Sequence, residues 1–271
     1  MARNGLLLIG CGKMGGAMLA GWIAEGTSPT DVVVVEPGAE NAAAAAAHGV
    51  TVVSAAAEIS DNFRPGVAIV AVKPQQMADV VPEYQKAIDR ECVVLSIAAG
   101  TTISFFEDIF GAEQPIVRSM PNTPAAVGKG MLVGCPNGNV SEDMRSSCTR
   151  LLAAVGAVAW VDDEGQMDAV TAVSGSGPAY VFYMIECMAE AGRKLGLPEE
   201  LAVQLAEQTV FGAGALAHDS DEAASQLRIN VTSPGGTTAA ALAELMADDG
   251  LQPLIDRAIK AANDRSVELG G

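Results

Sequence analysis

Aromatic, basic and histidine residues are scarce in this chain: of 271 residues, six are Phe, three Tyr, two Trp, 16 Lys or Arg, and two His. Set against 33 Asp and Glu, the basic deficit leaves a formal net charge of −17, which repels phosphate backbones and anionic lipid surfaces. No nucleic acid and no membrane are therefore expected as partners. His48 and His218 stand in no metal-ligand spacing, so no metal site is expected. The five cysteines, Cys11, Cys92, Cys135, Cys148 and Cys187, are odd in number and scattered, without a Cys-x-x-Cys pair. That excludes a disulfide framework and fits a reduced, cytoplasmic setting. No apolar run approaches the roughly 18 residues of a membrane span. The opening segment, in which Arg3 precedes a short apolar run, falls short of the roughly 7 to 15 apolar residues of a targeting core. Few aromatics do not mean disorder, because 49% of the residues are hydrophobic and 18% charged, the profile of a compact protein long enough for two domains.

What is present begins with four continuous apolar runs: LLLIG (6–10), DVVVVE (31–36), VAIVAV (67–72) and CVVLSIAA (92–99). Continuous rather than alternating apolar character marks parallel strands covered by helices on both faces. PIVRSM (115–120), MLVGC (131–135) and AVAWV (157–161) are further strand candidates, with a helix predicted from about Ser141 to Val155. The βαβαβ order implies an α/β fold with an N-terminal, doubly wound sheet of the Rossmann kind. After Trp160 the apolar spacing turns helical, through Val170, Val173, Val181, Met184, Ile185, Met188 and Leu195. In GLPEEL (196–201), Gly196 ends one helix and Pro198 suits the first turn of the next. Small residues, as in FGAGALA (211–217), allow close helix packing and leave apolar faces too wide for one small bundle, which favours a homodimer. The predicted division is a dinucleotide-binding domain over residues 1–161 and an all-helical substrate-binding and dimerisation domain over 162–271.

Directly after the first strand comes Gly10-Cys11-Gly12-Lys13-Met14-Gly15, a Gly-x-Gly-x-x-Gly motif leading into the helical GAMLAGWIAEG. Its first glycine makes a tight turn, the second lets a pyrophosphate approach the backbone, and the third lets helix and strand pack closely. The second strand ends in Glu36, about where an acid accepts the ribose hydroxyls of NADH. A 2′-phosphate there is repelled unless a cation answers it, and EPGAEN (36–41) offers none, so the lean is to NADH while NADPH stays open. AVKP (71–74) ends a strand on the edge where cofactors bind, and Pro74 holds Lys73 extended, so Ala71, Val72 and Lys73 present backbone there. Met120 and Asn122 follow another strand at the same edge, and two partners are open to Asn122, the cofactor or a neighbouring loop. Pro178 breaks an interior helix, so a long helix starts at Ser176 or Gly177.

Such a fold implies hydride transfer, and the remaining groups must identify the substrate. Reduction of a ketone needs a strong proton donor, and neither His48, in an Ala-rich helix, nor His218, at a polar helix boundary, is suitably placed. An imine can arrive already protonated, and then a hydroxyl suffices. VTSPGGTTAAAL (231–242) has the Ser, Gly and Thr residues that start a helix, and a helix start with two glycines before it also suits an anion. Plain helix capping by Ser233, Thr237 and Thr238 explains the same residues.

LLLIGCGKMGGAM, AVKP, SIAAG (96–100), RSMPNTPAAVGKG (118–130), SGSGPAYVF (174–182) and VTSPGGTTAAAL, taken together and in order, resemble pyrroline-5-carboxylate reductase. The resemblance spans nearly the whole chain. It implies reduction of the cyclic imine 1-pyrroline-5-carboxylate to L-proline by NADPH or NADH. It also implies dimers, sometimes assembled into larger rings, in which one chain's helical domain completes the other's active site. Carried over by residue, Ser233 and the N–H groups of Thr237 and Thr238 hold the substrate carboxylate, within a site that includes Val231 and Gly236. Thr238 is the implied catalytic residue, facing the ring nitrogen. Gly10, Gly12, Lys13, Met14, Gly15, Glu36, Ala71, Val72, Lys73, Pro74, Ala98, Met120, Asn122 and Pro178 fall to the cofactor. An acid at position 36 departs from many NADPH-using members. A β-hydroxyacid dehydrogenase shares the plan but wants a catalytic Lys early in the first long helix, and none lies between Asp162 and Glu190. An imine reductase of broader range, which would accept imines without a carboxylate, is the other alternative, and a non-catalytic dinucleotide sensor the third.

Overall fold

The computed structural model describes residues Gly5 to Gly270, so Arg3 of the opening segment lies outside them. Strands β1 (Gly5–Ile9), β2 (Val32–Val35), β3 (Thr51–Val53), β4 (Pro65–Val70), β5 (Val93–Ser96), β6 (Ile116–Met120), β7 (Gly130–Pro136) and β8 (Gly156–Trp160) form one sheet. Their order is β3-β2-β1-β4-β5-β6-β7-β8. Strands β1 to β6 run parallel, and within all but the half-exposed β3 the side chains alternate between two buried faces. Leu6 and Leu8 join Met18, Leu19, Trp22 and Leu152 on one side, while Leu7 and Ile9 join Met77, Tyr84 and Phe106 on the other. That double burial is why the strands read as unbroken apolar runs.

Two features of the sheet escape the apolar pattern. β3 is only three residues long, and it follows a turn at Gly49 with φ of +80°. β7 runs antiparallel to β6, because residues 121–129 between them are too few for the helical crossover a parallel pair needs. β8 is then parallel to β7, and the crossover between them is the predicted helix.

The helices are α1 (Lys13–Ala24), α2 (Ala39–Ala46), α3 (Met77–Val80), α4 (Ile103–Phe110), α5 (Glu142–Ala153), α6 (Met167–Val170), α7 (Gly177–Lys194), α8 (Glu199–Asp219), α9 (Ala224–Asn230), α10 (Thr237–Leu245) and α11 (Leu251–Gly270). Local chemistry starts α4 and α5: Thr102 and Ser141 accept N–H bonds from Phe105 and Met144, and Glu142 and Asp143 complement the positive end of α5. His48 lies in the turn after α2 rather than in the helix, and His218 sits in the last turn of α8.

The chain divides into two compact units, one through Gly175 plus the residues from Asn263 on, the other Ser176–Ala262. The C-terminal turns of α11 return to the first unit, where the Ser266 hydroxyl donates to Asp168 Oδ1 at 2.6 Å. In the second unit α7 ends at Gly196 (φ +95°), with the Leu197 N–H closing back on the Gly192 carbonyl at 3.1 Å. Pro198 is the cap of α8, one residue before the predicted position. A Cβ on Gly192 would lie 3.3 Å from the Ala202 Cβ, so α7 and α8 meet through small side chains. No disulfide joins the cysteines; four are buried and Cys187 is exposed. Among the described residues no helix is long and apolar enough to cross a membrane, and no three His, Cys, Asp or Glu side chains gather as a metal-holding group.

Candidate active site

The carboxyl ends of β1, β2, β4 and β5 stay in register one residue past the strands. Gly10 N–H donates to the Val35 carbonyl at 2.9 Å, Ala71 N–H to Ile9 at 2.8 Å, Glu36 N–H to Val53 at 3.0 Å and Ile97 N–H to Val70 at 3.1 Å. A level edge results. It lies where the chain, having run β1 to β3 in one direction, comes back to place β4 on the other side of β1, the crevice in which such sheets bind ligands.

The glycine motif forms a cradle at this edge. Gly10 has φ of +85°, and a Cβ on Gly15 would stand 2.5 Å from the Gly10 carbonyl oxygen, so strand and helix meet backbone to backbone. A Cβ on Gly12 would meet nothing within 4 Å. Gly12 is also the N-cap of α1, which no side chain caps, so the first N–H groups of the helix are left to a ligand. These residues fit the pyrophosphate of a dinucleotide. Lys13 is exposed and Met14 half-buried beside them.

Glu36 is tied to this turn by its side chain. Its Oε2 accepts the Cys11 N–H at 2.7 Å and its Oε1 the Gly38 N–H at 2.8 Å. The Cys11 thiol faces the core, and burial, reinforced by the charge of Glu36, pushes its pKa up to about 11, so it is no nucleophile at neutral pH. Lys73 is extended (φ −66°, ψ 144°) as Pro74 demands, and its side chain is exposed. Ala98 is buried, and its N–H donates to Ser96 Oγ at 3.3 Å.

Of the two partners open to Asn122, the structure shows the neighbouring segments. Its Oδ1 accepts the Met131 N–H at 2.8 Å, and its Nδ2 donates to the carbonyl and hydroxyl of Ser174 at 3.2 and 3.3 Å. The Met120 side chain covers Gly175, where a Cβ would clash with its Cε at 2.4 Å. Sequence spacing carried no sign of a second link between these segments. Arg118 is buried on β6 and donates to Glu164 Oε1 at 2.8 Å, and that oxygen also accepts the Ile103 N–H at 2.9 Å at the head of α4.

Pro178 and the Val231–Thr238 stretch belong to the second unit. α7 begins at Gly177 as expected, yet it is not a free start: α6 and a π-helical turn at Thr171–Gly175 lead into it, and its N-cap Ser176 already has right-handed helical angles. Ser233, Pro234, Gly235 and Gly236 make a turn with Gly235 at φ +70° and the Gly236 N–H on the Ser233 carbonyl at 3.0 Å, the type II geometry that Pro-Gly favours. Gly236 is then the N-cap of α10, and no side chain caps this helix. Capping by Ser233, Thr237 or Thr238 therefore does not account for these residues. Val231, Ser233 and Thr237 are exposed and Thr238 half-buried.

Known proteins agree with this architecture. Residues 164–269 match the family described as pyrroline-5-carboxylate reductase dimerisation, and residues 6–100 the family described as NADP oxidoreductase, coenzyme F420-dependent. The pyrroline-5-carboxylate reductase of Pseudomonas aeruginosa is 40% identical over 99% of this chain and 98% of its own length. The solved reductase of Coxiella burnetii superposes with a TM-score of 0.94 at 35% identity, covering all of both chains. That of Plasmodium falciparum, solved with NADP bound, reaches 0.83 at 30% identity, again over both whole chains. With a Rossmann-type sheet, a helical region that matches a dimerisation family, and end-to-end likeness to these proteins, the chain belongs to the pyrroline-5-carboxylate reductase family.

Proposed function

We propose that this chain reduces 1-pyrroline-5-carboxylate to L-proline, with NADPH or NADH as the reductant. The observation that carries the reading is the Ser233–Thr238 turn, a bend opening an uncapped helix whose backbone donors and hydroxyls are left to an anion. Ser233 and the N–H groups of Thr237 and Thr238 hold the substrate carboxylate, with Val231 and Gly236 shaping the same pocket. Thr238 Oγ faces the ring nitrogen, where its hydroxyl donates a hydrogen bond or a proton to the neutral imine, so that hydride at the ring carbon and a proton at nitrogen together give the amine. A reduced nicotinamide, when bound, supplies the hydride. The Gly10–Gly15 turn and Glu36 anchor its adenosine half, while Ala71–Pro74, Ala98, Met120, Asn122 and Pro178 border the other.

The working form is a homodimer, alone or stacked into a ring, in which one chain's helical unit completes the partner's site. We place it in the cytoplasm, where its thiols stay reduced. The test is an absorbance assay supplying the cyclic imine with each reduced nicotinamide in turn. Oxidation of the nicotinamide with formation of proline supports the reading, and binding without turnover would leave a dinucleotide sensor in its place. Turnover of imines that lack a carboxylate at equal rate would point to the broader imine reductase. Thr238→Ala is expected to slow kcat by up to about 10²-fold; unchanged kcat and KM would remove that assignment.

A further inference from the structure

We infer that Glu36 makes this chain select NADH over NADPH, because its carboxylate is locked where a 2′-phosphate would have to sit. The inference rests on the cofactor reading above and adds a specificity to it. In a doubly wound sheet the acid at the end of the second strand meets the 2′ position of the adenosine ribose. A flexible glutamate could swing aside for a phosphate, but this one is held at both oxygens, by Cys11 N–H at 2.7 Å and Gly38 N–H at 2.8 Å. Turning it away would break two charge-assisted bonds and strand a partly buried N–H within the glycine turn itself.

Gly38 matters a second time. It is the N-cap of α2, and one of the donors a phosphate would seek at that helix head is already held by Glu36. No compensating cation is supplied by this limb of the fold. Between Lys13 and Arg64 there is no Lys or Arg, while Glu25, Asp31, Glu36, Glu40, Glu58 and Asp61 are all acidic. Arg64 stands before β4, at the opposite edge of the sheet, with its guanidinium on the Asp61 and Phe63 carbonyls. A phosphate carrying close to two negative charges therefore meets a fixed negative charge.

The experiment is equilibrium titration of the purified full chain with NADH and with NADPH, followed by nicotinamide fluorescence or calorimetry, without substrate. NADH is expected to bind at least about 10-fold more tightly at low salt, a gap of about 1.4 kcal/mol. The ratio should shrink as ionic strength rises, since the discrimination is between like charges. Glu36→Gln, which keeps size but removes charge, should bring the ratio below about 3, mainly by improving NADPH. Lys13→Ala and Lys73→Ala, the two exposed cations flanking the turn and the β4 end, should weaken both cofactors equally. Equal or tighter binding of NADPH by the unaltered chain overturns the inference, as does a ratio indifferent to salt, or one that collapses NADPH binding alone in either lysine variant. Because the salt series uses the unaltered protein, it decides the matter even where Glu36→Gln disturbs the turn. A chain that binds neither nicotinamide overturns the proposed function itself.

Discussion

The two units bury very different things. The first encloses Trp22, Phe106 and eighteen strand valines, leucines and isoleucines on both faces of its sheet, whereas from Ser176 to Ala262 only Ala189, Ala202 and Ala206 are buried. Phe182, Tyr183, Leu205 and Phe211 stay exposed there, on helices that touch through small residues, as does Val231 in the turn after α9. A face of this size in contact with water is a binding surface, so the first unit carries its own stability and the second waits for a partner. The match of residues 164–269 to a dimerisation family agrees with that contrast.

Trp22→Ala should have the largest effect. It empties a core site and breaks the indole bond to the Leu151 carbonyl at 2.8 Å that ties α1 to α5. We expect a loss of about 4 kcal/mol in denaturant unfolding. Glu164→Ala, also in the first unit, should cost about 3 kcal/mol by leaving buried Arg118 without its carboxylate and the Ile103 N–H without an acceptor. Phe211→Asp tests the other side of the contrast. Phe211 is 70% exposed in the single chain, so the change should spare the folding of the first unit while weakening dimers by about 2 kcal/mol, seen as dissociation in sedimentation. A dimer unmoved by it would remove Phe211 from the interface.

Alkaline titration should act chiefly through the buried groups of the first unit. Burial raises the pKa of Cys11 and Cys135 to about 11 and of Cys148 and Tyr84 to about 12. Below about pH 7.5 these groups are protonated folded or unfolded and pH does nothing through them. Above it the unfolded chain releases protons that the folded one retains, so stability falls as pH rises toward 11 and 12, on the order of 1 kcal/mol per group. Thermal melts between pH 8 and 11 will show it. The smallest effect belongs to Val127→Asp in the first unit, at a side chain 74% exposed, which should stay within about 0.5 kcal/mol. If Val127→Asp and Phe211→Asp behaved alike, the contrast between the units would fail.

Much of the fold was legible because its signals are local. Unbroken valine and leucine runs located the long strands, Ser141 announced α5, and the spacing of Gly10, Gly12 and Gly15 marked a cradle whose close contacts the structure shows. β3 was not legible, since three residues carry no period, and the reversal of β7 depended on the length of a connection rather than on any residue in the strand. In the candidate site, Glu36 could be singled out by position, but not its hold on Cys11, 25 residues away in the chain. Nor did the sequence disclose that Asn122 spends its amide on Met131 and Ser174, or that a π-helical turn leads into Pro178.

Composition and spacing by themselves determined a doubly wound sheet, a glycine cradle for a dinucleotide and a helical half with more apolar surface than it can bury, because backbone sterics and burial act within a few residues. Only the tertiary structure decided which way β7 runs, that the turn before α10 is left uncapped, and that the carboxylate of Glu36 is clamped. Those outcomes depend on which N–H groups and side chains the fold brings within hydrogen-bond reach, and residues far apart in the chain leave no local trace of that.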